Sequence, residues 1–156
     1  MAIRKARLKD LKEIDKIYVG SCIDEVRIQF PSRSRKDIEK ELTKWRKDRL
    51  KGFRKDILSK SNYLVVVEED GLVVGFGDVM VLKRDKKKAE ITMVYIKKSF
   101  RKKGIGSKIM KELLSWLKKR KVKSVSGGIF VKNNPSIKLC KKFGFKIVAV
   151  RMERKL

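Results

Sequence analysis

The clearest chemical signal in the chain is a run of seven residues, Arg101-Lys102-Lys103-Gly104-Ile105-Gly106-Ser107. It lies between a segment with strand character and a long amphipathic helix. Its two glycines let the backbone pass close to a ligand with no Cβ in the way. Free N–H groups at the turn and helix start, helped by the helix dipole, favour an anion there. A pyrophosphate is the natural occupant. The run is not a Walker loop, because no Gly-Lys-Ser/Thr follows at the required spacing, and no third glycine completes a G-x-G-x-x-G.

Other chemistries are excluded by composition. Among 156 residues there is no histidine, so Ser-His-Asp triads, Cys-His dyads and His-bearing metal sites are impossible. Cys22 and Cys140 form no zinc-type spacing and imply no disulfide framework. No metal is expected. The longest uninterrupted apolar run, Leu64 to Val67, is too short to cross a bilayer, and the N-terminus lacks the apolar core of a signal peptide. The expectation is a cytoplasmic protein with no membrane partner, folded as a single domain over residues 1–156. Its length and 42% apolar content suit such a core.

Charge is distributed unevenly. The formal net charge is +26, yet residues 61–82 hold no Lys or Arg and four acids: Glu68, Glu69, Asp70 and Asp78. Residues 83–156 hold 25 basic and only four acidic side chains. A field of that sign attracts polyanions such as nucleic acid, phosphorylated cofactors or a ribosome. A generic lysine-rich surface would read the same way.

The elements that must position the loop follow from periodicity. Ile3 to Leu8 reads as a strand. Asp10 caps a helix, with Glu13 at the capping-box position, and that helix stops before Pro31. Helical spacing from Asp37 to about Leu58 is expected to break at Gly52. Tyr63 to Glu68 and Leu72 to Leu82 read as a hairpin turned by Glu69-Asp70-Gly71, followed by a strand from Ala89 to Ile96. An amphipathic helix from Ile105 to about Lys121 precedes a strand from Val122 to Val131. A short helix opened by Asn134-Pro135 ends near Gly144, and Phe145 to about Arg154 reads as a last strand or pair of strands. The order β-αα-βββ-α-β-α-β is a mixed α/β sheet with parallel pairing late in the chain.

In this context the loop resembles the acetyl-CoA signature of the GNAT superfamily of N-acetyltransferases, R/Q-x-x-G-x-G/A, here preceded by Ile96-Lys97-Lys98-Ser99-Phe100. The stretch Asn133-Asn134-Pro135 through Phe143-Gly144-Phe145 is similar to the family's second signature, an Asn, a short helix and Gly-Phe. With the first strand and helix, the resemblance spans essentially the whole chain. It implies a GNAT-like α/β sheet of about six or seven strands and about four helices, with a V-shaped splay between the central strands. It also implies acetyl-CoA as co-substrate, bound by Val94, Tyr95 and Ile96 along a strand. Arg101, Lys102, Lys103, Gly104, Ile105, Gly106 and Ser107 would surround its pyrophosphate, and Asn133 would complete the site. A backbone N–H near Val94–Tyr95 would stabilise the oxyanion formed when an amine attacks the thioester.

An amine nucleophile must lose a proton, and a carboxylate can receive it directly or through water. Glu90 is the sole carboxylate between Asp85 and Glu112, and it stands where the lysine-acetylating branch of the family places its glutamate. An exposed strand-end carboxylate paired with Lys86–Lys88 is the competing reading. Asp78 and Glu68 are further acids that would attract a cationic acceptor or act through water. The family's usual tyrosine acid on the late helix is replaced by Cys140, which leaves the Cys140 thiol, Tyr95 or water to protonate the departing thiolate; Ile129 stands where another frequent glutamate base would be. Two functions therefore remain: transfer of an acetyl group to an amine (a protein lysine, a protein N-terminus or a small molecule), or a non-catalytic scaffold docking on nucleic acid or a ribosome. Monomer and homodimer are both compatible with the sequence.

Overall fold

The computed structural model describes residues 1–154. A five-stranded mixed sheet carries helices on both faces, with strand order β1-β2-β3-β4-β5. The strands are β1 (Ala2–Lys5), β2 (Asn62–Glu69), β3 (Leu72–Val81), β4 (Lys88–Ile96) and β5 (Ser124–Ser126). The helices are α1 (Leu11–Gln29), α2 (Arg35–Lys44), α3 (Arg46–Leu58), α4 (Ile105–Lys119) and α5 (Asn134–Lys142). Strands β1 to β4 pair antiparallel, and β5 joins β4 in parallel after the α4 crossover.

Leu64 to Val67 are all buried because β2 is covered on both sides. Val65, Val67 and Val79 pack with Ile105, Ile109 and Leu113 of α4. Leu64, Val66 and Phe76 pack with Ile14 and Ile17 of α1 and Phe53 and Ile57 of α3. The β2–β3 turn places Asp70 at φ 50° and Gly71 at φ 77°, the left-handed pair that a two-residue hairpin needs. Gly77 has no room for a side chain, since a Cβ there would lie 2.3 Å from Ile109 Cγ2.

Several sequence expectations are corrected. The sheet has five strands, not six or seven, because Phe145 to Arg154 forms no strand. β5, expected over Val122 to Val131, closes after three residues at Gly127-Gly128 and offers no long ladder to extend. Ile147 and Val148 are consequently 66% and 91% exposed. There are also five helices rather than about four, and the break between α2 and α3 falls at Trp45, not at Gly52. Gly52 lies in open space and is carried by its buried neighbour Phe53. At the Trp45 joint, Arg49 caps the Leu42 carbonyl at 2.8 Å, while Arg46 and Arg49 both reach Asp15 of α1. Asp10 departs from its expected role as well. It accepts from the Arg7 N–H at 2.7 Å and binds Arg4, while Glu13 pairs with Lys16 and Lys97.

Candidate active site

The site is built around a fork. β4 and β5 share three rungs, ending at Glu90 and Ser126, while β4 continues alongside β3 to Ile96. Gly127 still touches β4, since a Cβ on it would lie 3.1 Å from the Ile91 carbonyl oxygen. Beyond that the outer edge of β4 has no strand beside it. The Lys97 N–H donates to the Val74 carbonyl, so the alternation of an antiparallel ladder turns the Tyr95 and Met93 groups toward β3. Those of Val94 and Ile96 face the vacant edge. Val94 and Ile96, expected at the cofactor, are thus the residues with outward backbone polarity. The Ile96 carbonyl already accepts from Arg101 Nε at 3.1 Å.

The turn after β4 has the expected local form. Lys102 and Gly104 adopt φ 63° and 78°, and Gly104 is the N-cap of α4. The amides from Lys102 to Ser107 have no hydrogen-bond acceptor among the described residues, whereas Lys108 donates to the Gly104 carbonyl. Consecutive N–H groups at the positive end of a fifteen-residue helix form an anion cradle. Lys142 Nζ lies 3.4 Å from Ser107 Oγ, and Lys103 stacks over Phe100. Ile105 is buried under the sheet and supplies its backbone only. Gly106 has a second duty: a Cβ there would meet Leu139 of α5 at 3.1 Å. Arg101 does not point into the cradle. Its guanidinium bonds Asp24 of α1 at 2.7 Å.

The acid–base candidates are not brought together. Glu90 is half-buried at the last rung, opposite Met80, and makes no ion pair among the described residues; Lys88 pairs with Asp85 instead. Tyr95 lies five residues further along the same face, about 15 Å away at strand rise. Its phenol donates to Glu25 Oε2 at 2.9 Å, and Cys22 Sγ lies 3.8 Å off. Burial, then the neighbouring Cys22 and Glu25, push the phenol pKa upward and keep it protonated. Cys140 sits half-buried on α5, where burial pushes its thiol up too. Asn133 caps α5 by accepting from Ser136 N–H at 3.3 Å, and its amide donates to Glu25 Oε1 at 2.9 Å. Glu25 therefore ties α1, the end of β4 and the start of α5 into one unit. No local pattern signals this contact, because a carboxylate on the helix that also carries Asp24 looks like one more surface charge.

A buried acid stands beside the fork. Asp78 on β3 is 1% exposed. The β3–β4 register slips between Asp78 and Val79, which leaves Thr92 as the extra residue of a bulge. Thr92 Oγ1 donates to Asp78 Oδ2 at 2.7 Å. Burial raises the Asp78 pKa from 3.8 to about 6, outweighing the Thr92 hydrogen bond, and the charge of Asp56 pushes the same way. The polar signal was present in the sequence, since Asp78 and Thr92 each interrupt an apolar run, but nothing there paired them.

An open cleft of about 530 Å³ adjoins the turn, lined by Lys16, Arg35, Lys97, Lys98 and Arg101 with Asp24 as its one acid. Among the described residues no helix is long and apolar enough to cross a membrane. Among the described residues no cluster of three His, Cys, Asp or Glu side chains could hold a metal ion.

The Acetyltransferase (GNAT) family profile matches residues 23–145. A putative [ribosomal protein bS18]-alanine N-acetyltransferase of Bacillus subtilis is 26% identical over 152 residues, covering 96% of this chain and 83% of that protein. The PaiA N-acetyltransferase of Thermoplasma acidophilum, solved in complex with coenzyme A, shares the fold with a TM-score of 0.82 at 19% identity, covering 96% and 92% of the two chains. A ribosomal-protein-alanine N-acetyltransferase of Brucella melitensis aligns at a TM-score of 0.66 and 24% identity, over 94% and 85% of the chains.

Proposed function

Because the chain belongs to the acetyltransferase (GNAT) family, we propose that it moves an acetyl group from acetyl-CoA to an amine, which attacks the thioester directly. The observation that carries this reading is the coincidence of two vacant sets of polar groups. The open edge of β4 runs into a turn whose amides from Lys102 to Ser107 have no acceptor. Both fit the same ligand. The amides of the turn would hold its diphosphate, with Lys103 and Lys142 adding charge. The outward groups of Val94 and Ile96 would bind the pantetheine amides as an added strand. Acetyl-CoA supplies an activated carbonyl; the Val94 N–H, which faces the same edge, would bind the negative charge that develops on its oxygen. Arg101, anchored on Asp24 and the Ile96 carbonyl, would fix the turn to the strand end rather than touch phosphate.

A protein α-amine is the acceptor favoured by the likeness to the Bacillus subtilis protein. An alanine-initiated peptide is the first probe and spermidine the second. Acetyl-CoA is expected to raise the melting temperature, since a ligand at a hundred times its Kd adds about 2.7 kcal/mol. It is also expected to release free thiol when the acceptor peptide is present. Gly104→Val forces a β-branched side chain to a φ of 78°. It is expected to weaken acetyl-CoA binding at least tenfold while circular dichroism stays native. Unchanged affinity would refute the turn as the diphosphate site.

A further inference from the structure

We propose that the Thr92 hydroxyl passes a proton from the incoming ammonium group to Asp78, making the β3–β4 bulge the proton acceptor of the reaction. The inference rests on the acetyl-transfer reading above and identifies its base. Thr92 lies two residues beyond the last β4–β5 rung and is exposed, at the mouth of the vacant edge. Its hydroxyl donates both to Asp78 Oδ2 at 2.7 Å and to the Asp78 carbonyl at 3.3 Å. A hydroxyl that donates in this way keeps its lone pairs free to accept from an amine.

Behind it, Asp78 has no salt-bridge partner, and its Oδ1 is buried with no hydrogen-bond partner among the described residues. Sheet interiors do not keep such a group without cause, since one unsatisfied buried polar atom costs about 1–3 kcal/mol. The groups facing it are few. α3 brings Asp56, β2 brings Asn62, which binds Asp56 at 2.9 Å, and β4 brings Glu90 two rungs along. α1 brings the apolar Ile14 and Ile17 to this face. No cation neutralises the carboxylate, so its proton affinity rises toward that of an α-amino group, about 8.

The protons balance. An ammonium group gives one proton to Thr92 Oγ1 as the hydroxyl proton moves to Asp78 Oδ2, which leaves a neutral amine. That amine forms the N–C bond as the C–S bond breaks. The second proton lost from nitrogen goes to the departing thiolate, and Asp78 returns its own proton to water.

The test compares Thr92→Val, Thr92→Ser and Asp78→Asn with the wild type, using acetyl-CoA with the alanine-initiated peptide and with spermidine. Wild-type kcat/KM is expected to fall below about pH 6. Thr92→Val and Asp78→Asn are expected to lose about a hundredfold in kcat, and Asp78→Asn to lose the acid limb. Thr92→Ser should restore both rate and limb, which a role in packing alone would not predict. A second readout needs no turnover: the carbon-13 carboxyl resonance of Asp78 should titrate near pH 6 and shift upward in Thr92→Val, which lacks the hydrogen bond that lowers it. Wild-type rates in Thr92→Val, or an acid limb that vanishes in Glu90→Gln and survives in Asp78→Asn, would overturn the relay alone. A wild type that binds acetyl-CoA and transfers nothing to either acceptor would overturn the relay and the transferase reading together.

Discussion

Asp78 shows how one buried side chain links stability to chemistry. Its neutral form is favoured in the fold, so the native state holds a proton that the unfolded chain releases between about pH 4 and 6. Stability from this group is therefore greatest at low pH and falls as pH rises through 6. The wild type is expected to gain on the order of 3 kcal/mol relative to Asp78→Asn between pH 7 and pH 4, measured by urea unfolding at each pH. The Asp15 pair behaves differently. Asp15 and Arg49 have side chains only 7% and 9% exposed, and Arg49 also covers the Tyr18 ring. Asp15→Ala strands a buried guanidinium and is expected to cost about 3 kcal/mol. Arg35→Ala breaks an exposed pair with Glu39 and should leave the unfolding midpoint unmoved. Both lie in helices whose sequence reads simply as charged; only burial separates them.

At the level of elements, close approach decides the site. α4 lies against β3 because Gly75 and Gly77 leave space for Ile105 and Ile109, and this contact carries the turn to the end of β4. Gly77→Ala is expected to cost about 1–3 kcal/mol by overpacking against Ile109 and Leu113. Thermal unfolding measures the stability loss directly. If acetyl-CoA binding falls as well, α4 sets the cradle. The helix itself was plain in the sequence, because Ile105, Ile109, Leu113 and Leu117 recur on one face. The bulge at Thr92 was not. It reverses the alternation of β4, so that Ala89, Ile91, Val94 and Ile96 share the α4 face while Met93 and Tyr95 face α1. Thr92 interrupts the apolar run Ile91 to Ile96, but one polar residue gives no cue to such a slip.

For the whole molecule, a net charge of +26 acts alongside the site rather than through it. The 25 basic residues after position 82 are expected to bind polyanions without sequence preference. Affinity for a DNA duplex is expected to fall about a hundredfold between 50 and 200 mM salt if about four phosphates are engaged. Fluorescence anisotropy across a salt series measures this. A flat response would mean that pairs such as Arg101–Asp24 and Lys97–Glu13 have neutralised the field. Against that field, the half-buried Asp56 and the buried Asp78 would make the α3 face of the sheet the part suited to a cationic amine.

The sequence by itself determined the loop, its helix, the hairpin and the family, because each depends on residues near one another in the chain: a glycine at φ 78°, a 3.6-residue stripe, an Asp-Gly turn. Tertiary structure alone decided which acid stands beside the fork, where Arg101 points, and what Glu25 joins. Asp78 and Thr92 are fourteen residues apart, and Glu25 and Asn133 are 108 apart. Such partners are chosen by strand register and helix docking, free energies summed over the whole core that no local pattern records.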